Sequence, residues 1–105
     1  MKNYNVYTTE SFDRKFSKLS FFEQRKIKKI FRQLKENPYV GDPLQYRFLR
    51  EKRIKEKRIY YLVYDDLEAV LIVATSEKKN QQETINKIIK NFDEYKIYLE
   101  KLLKS

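Results

Sequence analysis

Cysteine and histidine are both absent from the chain. Without cysteine there is no disulfide, no thiolate metal site and no thiol nucleophile. Without histidine, a Ser-His-Asp triad, a nuclease built on two histidines and any imidazole-ligated metal are excluded. Catalysis then falls to Lys, Arg, Tyr, Glu, Asp, Ser or Thr, and the sequence implies no cofactor and no metal. Glycine occurs once and proline twice. No linker, repeat or low-complexity segment is visible. Long apolar runs are missing too. None approaches the roughly 18 residues of a membrane span, and Met1-Lys2-Asn3-Tyr4-Asn5-Val6 has no apolar run of signal-peptide length. The expectation is a cytoplasmic protein with no membrane partner.

What the chain has in quantity is aromatic and basic residues. Its 105 residues suit one domain, expected over 1–105. Nine Tyr and seven Phe help so short a chain to close a core. Lys and Arg number 24 against 15 Asp and Glu, a formal net charge of +9. That excess says nothing about fold, but it favours polyanionic partners: RNA, DNA or anionic lipid.

Periodicity divides the chain into a short strand over residues 3–8, a helical hairpin, a run of strands and a terminal helix. Thr9 is placed to cap a first helix, with Glu10 and Asp13 near its positive end and Phe12, Phe16 and Leu19 on one face. Ser20-Phe21-Phe22-Glu23 has the spacing of a capping box, so a second helix begins there. Its apolar stripe is Ile27, Ile30, Phe31 and Leu34, and Asn37-Pro38 ends it. Tyr39 to Pro43 reads as a loop holding Gly41. Residues 44–53 are ambiguous, with extended structure expected at 52–55. Arg58 to Tyr64 is rich in β-formers. Ala69 to Ala74 is apolar throughout, as a strand covered on both faces should be. Asn80-Gln81-Gln82-Glu83 can cap a last helix of about 23 residues, longer than a small sheet needs. Its C-terminal part, about 90–105, is expected to extend beyond the core as a surface for a second copy or another protein. The alternative is that it folds back over the sheet. The order β-α-α-β-β-β-α predicts an α+β fold, with the helical hairpin on one face of a small, curved, antiparallel-rich sheet. The other face should be partly open. Phe16, Leu19, Ile27, Ile30, Phe31 and Leu34 are expected to meet Val63, Leu71 and Val73.

The densest charge lies at Arg47, Arg50, Lys52, Arg53, Lys55, Lys57 and Arg58, relieved by Glu51 and Glu56. Tyr46, Phe48, Tyr60 and Tyr61 interleave with it. Cations suit phosphates and flat rings suit unstacked bases. A solvated hairpin in a Lys-rich protein is the plainer reading. Strand alternation puts Arg58, Tyr60 and Leu62 on one face and Ile59, Tyr61 and Val63 on the other.

The hairpin ending Leu34-Lys35-Glu36-Asn37-Pro38, then Gly41-Asp42-Pro43-Leu44, resembles the RelE/ParE toxins. So do the strand Arg58-Ile59-Tyr60-Tyr61-Leu62-Val63-Tyr64 and the stretch Ala69 to Ala74 with its exit Ser76-Glu77-Lys78-Lys79. The resemblance implies a toxin held inactive by a cognate antitoxin protein. RelE-like members act on the ribosome and cleave mRNA; ParE-like members poison DNA gyrase. By position, Arg58 matches the family's strand arginine. Lys52, Arg53 and Lys55 match its basic preceding strand, and Lys78 matches the basic residue after the last core strand. Three departures stand out. Gln81, Gln82, Glu83 and Thr84 replace the Tyr or His often found past Lys78. The turn Lys55-Glu56-Lys57 lacks glycine. The terminal helix is long.

Cleavage by attack of a 2′-hydroxyl needs a base, fixed positive charge on the phosphoryl oxygens and an acid for the leaving 5′ oxygen. Arg58, Lys52, Lys55, Lys78 and Tyr60 are the expected catalytic residues. Lys52, Lys55 or Glu51 is the candidate base, and Tyr60 or Tyr61 the candidate acid. Arg47, Arg50, Arg53, Lys57 and Lys79 are the expected RNA contacts. Arg58→Ala is expected to abolish activity and spare the fold, and Arg58→Lys to rescue little. The plainer role for Arg58 is an ion pair with Glu51 or Glu56. Three functions remain open at this stage: a ribosome-dependent mRNA endonuclease, a toxin that binds a protein target such as gyrase, and a non-catalytic RNA-binding relative.

Overall fold

The first helical boundary falls where the sequence puts it, because Thr9 does two jobs. Its hydroxyl accepts from the Phe12 amide at 3.2 Å, while its own N–H reaches the Ile72 carbonyl at 3.2 Å. One residue therefore ends strand β1 (Asn5–Thr8) and starts helix α1 (Glu10–Ser17). Ser20 and Glu23 form the complete capping box at the start of α2 (Phe21–Glu36). The computed structural model describes residues 3–104; Met1, Lys2 and Ser105, which the expected domain takes in, lie outside them.

Four strands follow α2: β2 (Asp42–Leu44), β3 (Tyr46–Ile54), β4 (Lys57–Tyr64) and β5 (Ala69–Glu77). The ambiguous segment is thus one long strand and one short edge strand, which the polar alternation of Tyr46 to Arg53 had obscured. The sheet order is β1-β5-β4-β3-β2. β1 runs parallel to β5, and every other pairing is antiparallel. The sheet is therefore mixed and antiparallel-rich.

Cross-strand partners share a face, so register decides what the helices meet. Val63 pairs with Val70 and Tyr61 with Ile72. The hairpin face accordingly buries Phe12, Ile27, Ile30 and Leu34 against Ile59, Tyr61, Val63, Val70 and Ile72, with Phe16, Leu19 and Phe31 packed beside them. Leu71 and Val73, expected in this layer, point the other way. An all-apolar strand carries no alternation from which its parity could be read. Each fully buried Ile, Leu or Phe here is worth about 1.5–3 kcal/mol of transfer free energy.

The second face is covered, not open. The terminal helix breaks at Asn91 (φ −111°, ψ 18°) into α3 (Gln81–Lys90) and α4 (Phe92–Lys104). The Asn91 side chain donates to the Lys87 carbonyl at 2.9 Å, and its own carbonyl accepts from the Tyr95 amide at 3.0 Å. Asn91 therefore ends one helix and opens the next, and Asp93 and Glu94 fall at the positive end of α4. α4 folds back, burying Leu99 with Leu49, Tyr60, Leu62, Leu71 and Val73. The expected single helix reaching beyond the core is replaced by this return. Leu102 and Leu103 stay 36% and 39% exposed. Among the described residues, no helix is long and apolar enough to cross a membrane.

Candidate functional site

β3 and β4 carry the basic cluster, and their register sorts it into two faces. Arg53 lies opposite Arg58 and Glu51 opposite Tyr60, while β5 adds Ser76 beside Arg58. These five residues form a polar row on the α3/α4 face, beyond the apolar layer of Leu49, Leu62 and Leu71. Glu51 sits at its centre and is 3% exposed; Arg58 is 4% exposed. Both the Arg58 and the Arg53 Nε lie 3.9 Å from Glu51 Oε1, but the Arg53 side chain is 64% exposed. Glu51 Oε2 accepts from the Gln81 side-chain amide at 2.7 Å, which ties the first turn of α3 to the strand. The Tyr60 and Ser76 hydroxyls are 2.8 Å apart. Burial, its largest cause, raises the Tyr60 pKa, so its phenol keeps its proton. Arg58 Nε is buried and has no hydrogen-bond partner among the described residues. Beside the row, a groove of about 520 Å³ runs between α1 and α3 along Val73 to Ser76. Ser76 belongs to both.

The remaining expected residues do not join this row. Lys52 faces the hairpin side, opposite Ile59. Arg50 is spent on structure: its guanidinium donates to the carbonyls of Gly41 (3.0 Å), Arg47 (2.9 Å) and Tyr39 (3.1 Å). Arg47 lies 3.6 Å from Asp65 and stacks 4.1 Å from the Tyr39 ring centroid. Lys57 pairs with Glu23 at 3.2 Å. Lys55 occupies the turn at φ 53° with its ammonium 4.5 Å over Phe22. Lys78 and Lys79 follow β5 in a short 3-10 turn, exposed, with Lys79 3.9 Å from Glu77. Asn80, expected to cap α3, makes no side-chain cap.

Two expectations need correction. Tyr60 and Tyr61 do lie on opposite faces, but the face of Tyr60, expected to be partly open, is closed by α4, so its ring is fully buried, as is that of Tyr61. The Tyr61 hydroxyl accepts from the Gly41 amide at 3.0 Å. Arg58→Ala was expected to spare the fold. With Glu51 buried beside it, loss of Arg58 strands a carboxylate away from water. Sequence reasoning missed Ser76 and Gln81. The signal for Ser76 was its place just past the apolar stretch Ala69 to Ala74; nothing in sequence could bring Gln81 to Glu51. Among the described residues no cluster of three or more carboxylates could hold a metal ion.

No family model matches the chain, and no curated protein does. Solved structures do. A variant of the Escherichia coli toxin RelE in the free state superposes with a TM-score of 0.68 at 16% identity, over 82% of this chain and 98% of that one. A chain of the Mycobacterium tuberculosis RelBE2 toxin–antitoxin complex gives 0.64 at 24% identity, over 74% and 94%. A chain of the RelE–RelB complex from Pyrococcus horikoshii gives 0.66 at 15%, over 72% and 96%. The fold of this chain is RelE-like.

Proposed function

We infer that this chain is the toxin of a type II toxin–antitoxin system and a ribosome-dependent mRNA endonuclease that stops translation. The observation that carries the reading is the polar row: two arginines flank one carboxylate on a RelE-like sheet, and the buried guanidinium Nε of Arg58, ion-paired with that carboxylate, makes no hydrogen bond among the described residues. An unpaired buried donor is costly. An anionic substrate meets the row at Arg53, whose side chain is 64% exposed.

Glu51 is the base and removes the proton of the 2′-hydroxyl. The freed oxygen attacks the adjacent phosphorus, and the bond to the 5′ oxygen breaks. Arg53 and Arg58 take the charge that builds on the phosphoryl oxygens; a fixed donor of this kind is commonly worth about 10²–10³-fold in rate. The Tyr60–Ser76 hydroxyl pair returns a proton to the leaving 5′ oxygen, and Lys78, exposed at the exit of β5, steadies the same strand. The products are a 2′,3′-cyclic phosphate and a 5′-hydroxyl. Lys52 and Lys55, the other expected bases, face away from the row, which supports Glu51 in that role. RNA enters from the Arg53 side, where the row meets solvent.

The antitoxin partner rests on the likeness to proteins solved in RelBE complexes. The expected partner surface loses Leu99 to the core and keeps Leu103 and Ile97, 39% and 52% exposed. The test is induced expression in a bacterial host. Amino-acid incorporation should stop within minutes while DNA supercoiling is preserved. Lost supercoiling with continued translation would place the chain with the gyrase-directed toxins.

A further inference from the structure

Of the seven phenylalanines, five pack on other rings: Phe12, Phe16 and Phe31 together, Phe48 and Phe92 with Tyr46. Phe21 and Phe22 do not. They stand in the first turn of α2, 74% and 48% exposed. Their company is cationic: the Arg25 guanidinium lies 5.7 Å from the Phe21 centroid, and the Lys26 and Lys55 ammoniums lie 5.4 and 4.5 Å from that of Phe22. Lys55 comes from elsewhere in the chain, on the two-residue turn between β3 and β4. The Lys57–Glu23 pair holds that turn against α2.

The conformation of Lys55 is a second, independent observation. At φ 53° it adopts a left-handed backbone that glycine or asparagine takes at less cost. A residue held in this strained conformation at a turn tip is a place to ask what its side chain contacts. Here that is an exposed ring.

We propose that this tip is a second, non-catalytic contact for single-stranded RNA. One base stacks on each exposed ring, and Arg25, Lys26 and Lys55 hold the adjoining phosphates. The inference rests on the toxin reading only in taking RNA as the ligand. Geometry favours a flexible strand over a membrane. The three cations lie over the rings themselves, an interleaving of charge and aromatic face that matches a strand in which phosphates and unstacked bases alternate. Successive unstacked bases can turn to meet each ring. The site lies round the β3–β4 hairpin from Arg58, so one strand of RNA could pass from the polar row over the turn to the rings.

The test is equilibrium binding of fluorescein-labelled 2′-O-methyl oligouridylate, which has no 2′-hydroxyl to attack and so reports binding without cleavage. Phe21→Ala/Phe22→Ala should weaken binding by about 5-fold or more per ring lost, with melting temperature and salt dependence unchanged. Lys55→Gly fits the turn without strain; it should keep or raise the melting temperature and lower the salt slope by about one. Cleavage on ribosomes is measured separately. Unchanged affinity in both variants overturns the contact and leaves the endonuclease reading standing; a protein inert in cleavage can still pass. Equal, Phe-dependent binding of duplex RNA, or Phe-dependent co-sedimentation with phosphatidylcholine/phosphatidylglycerol vesicles, also overturns it.

Discussion

Removing either partner of the Arg58–Glu51 pair should unfold much of the protein's margin of stability. At 3.9 Å the attraction is about 4 kcal/mol for an effective dielectric near 20. Desolvating two ions offsets most of it, so the intact pair adds little net stability. Breaking it is another matter, because the survivor stays buried; single removals of this kind cost about 3–5 kcal/mol. Arg58→Met should fall at about 3 kcal/mol, because Arg53 also reaches Glu51. Glu51→Leu should approach about 5 kcal/mol, since it leaves a buried guanidinium with neither its ion-pair partner nor a hydrogen bond at Nε. The double variant should recover most of that loss. Urea unfolding followed by circular dichroism reads all three: with an m-value of about 2 kcal/mol/M, a loss of 3 kcal/mol moves the midpoint by about 1.5 M. Single variants within about 0.5 kcal/mol of the parent, and additive in the double, would refute the reasoning. The pair would then be a surface contact in effect.

Other outcomes follow from the packing. Leu99→Ala should cost about 2–5 kcal/mol, because Leu99 is fully buried against the sheet; a near-neutral result by thermal melting means that α4 does not close the second face. Gly41→Ala should lower the melting temperature by more than about 4 °C, since overpacking costs about 1–3 kcal/mol. Its new Cβ would meet the Glu51 carbonyl and the Tyr61 hydroxyl. Hydrogen bonds from Tyr39 and Tyr4 hold the Asp65 carboxyl below its ordinary 3.8, so that stability is present above pH 3.8 and lost as acid protonates the group. The bond to Asp65 chiefly pushes Tyr4 up to about 12, so its share is full below pH 10 and lost as pH rises towards 12. Asp65→Asn should flatten melting temperature against pH in both windows, and an unchanged profile contradicts the network.

Much of the fold was legible because local chemistry set it. Thr9, the Ser20–Glu23 box and Asn37-Pro38 fix three helix ends without help from the rest of the chain. The apolar run Ala69 to Val73 announced a strand covered on both faces. That clue conflicted with the expectation of an open second face, and the clue was right. The break at Asn91 had a signal too: an Asn followed by Asp93 and Glu94, overlooked because Ile88, Phe92, Tyr95 and Leu99 keep helical spacing across it. The site was harder. Alternation placed Arg58 and Tyr60 on one face and parts Lys52 from Arg53, but it was pairing across strands that brought Arg53 and Glu51 to Arg58. Register of that kind depends on turn geometry and distant packing. The charge run from Arg47 to Arg58 looked like one surface in sequence; in the fold, Arg47, Arg50 and Lys57 are taken up by Asp65, backbone carbonyls and Glu23.

The most direct measurement is primer extension on a defined mRNA incubated with purified protein, with and without programmed ribosomes. Cuts should appear only where a ribosome holds the message, need no added metal, and leave 2′,3′-cyclic phosphate ends. Arg53→Gln, altered at a side chain 64% exposed, should fold normally and cut about 10²-fold more slowly. Intact mRNA at every ribosome position, or equal cutting by Arg53→Gln, would contradict the assignment of the polar row as the catalytic centre.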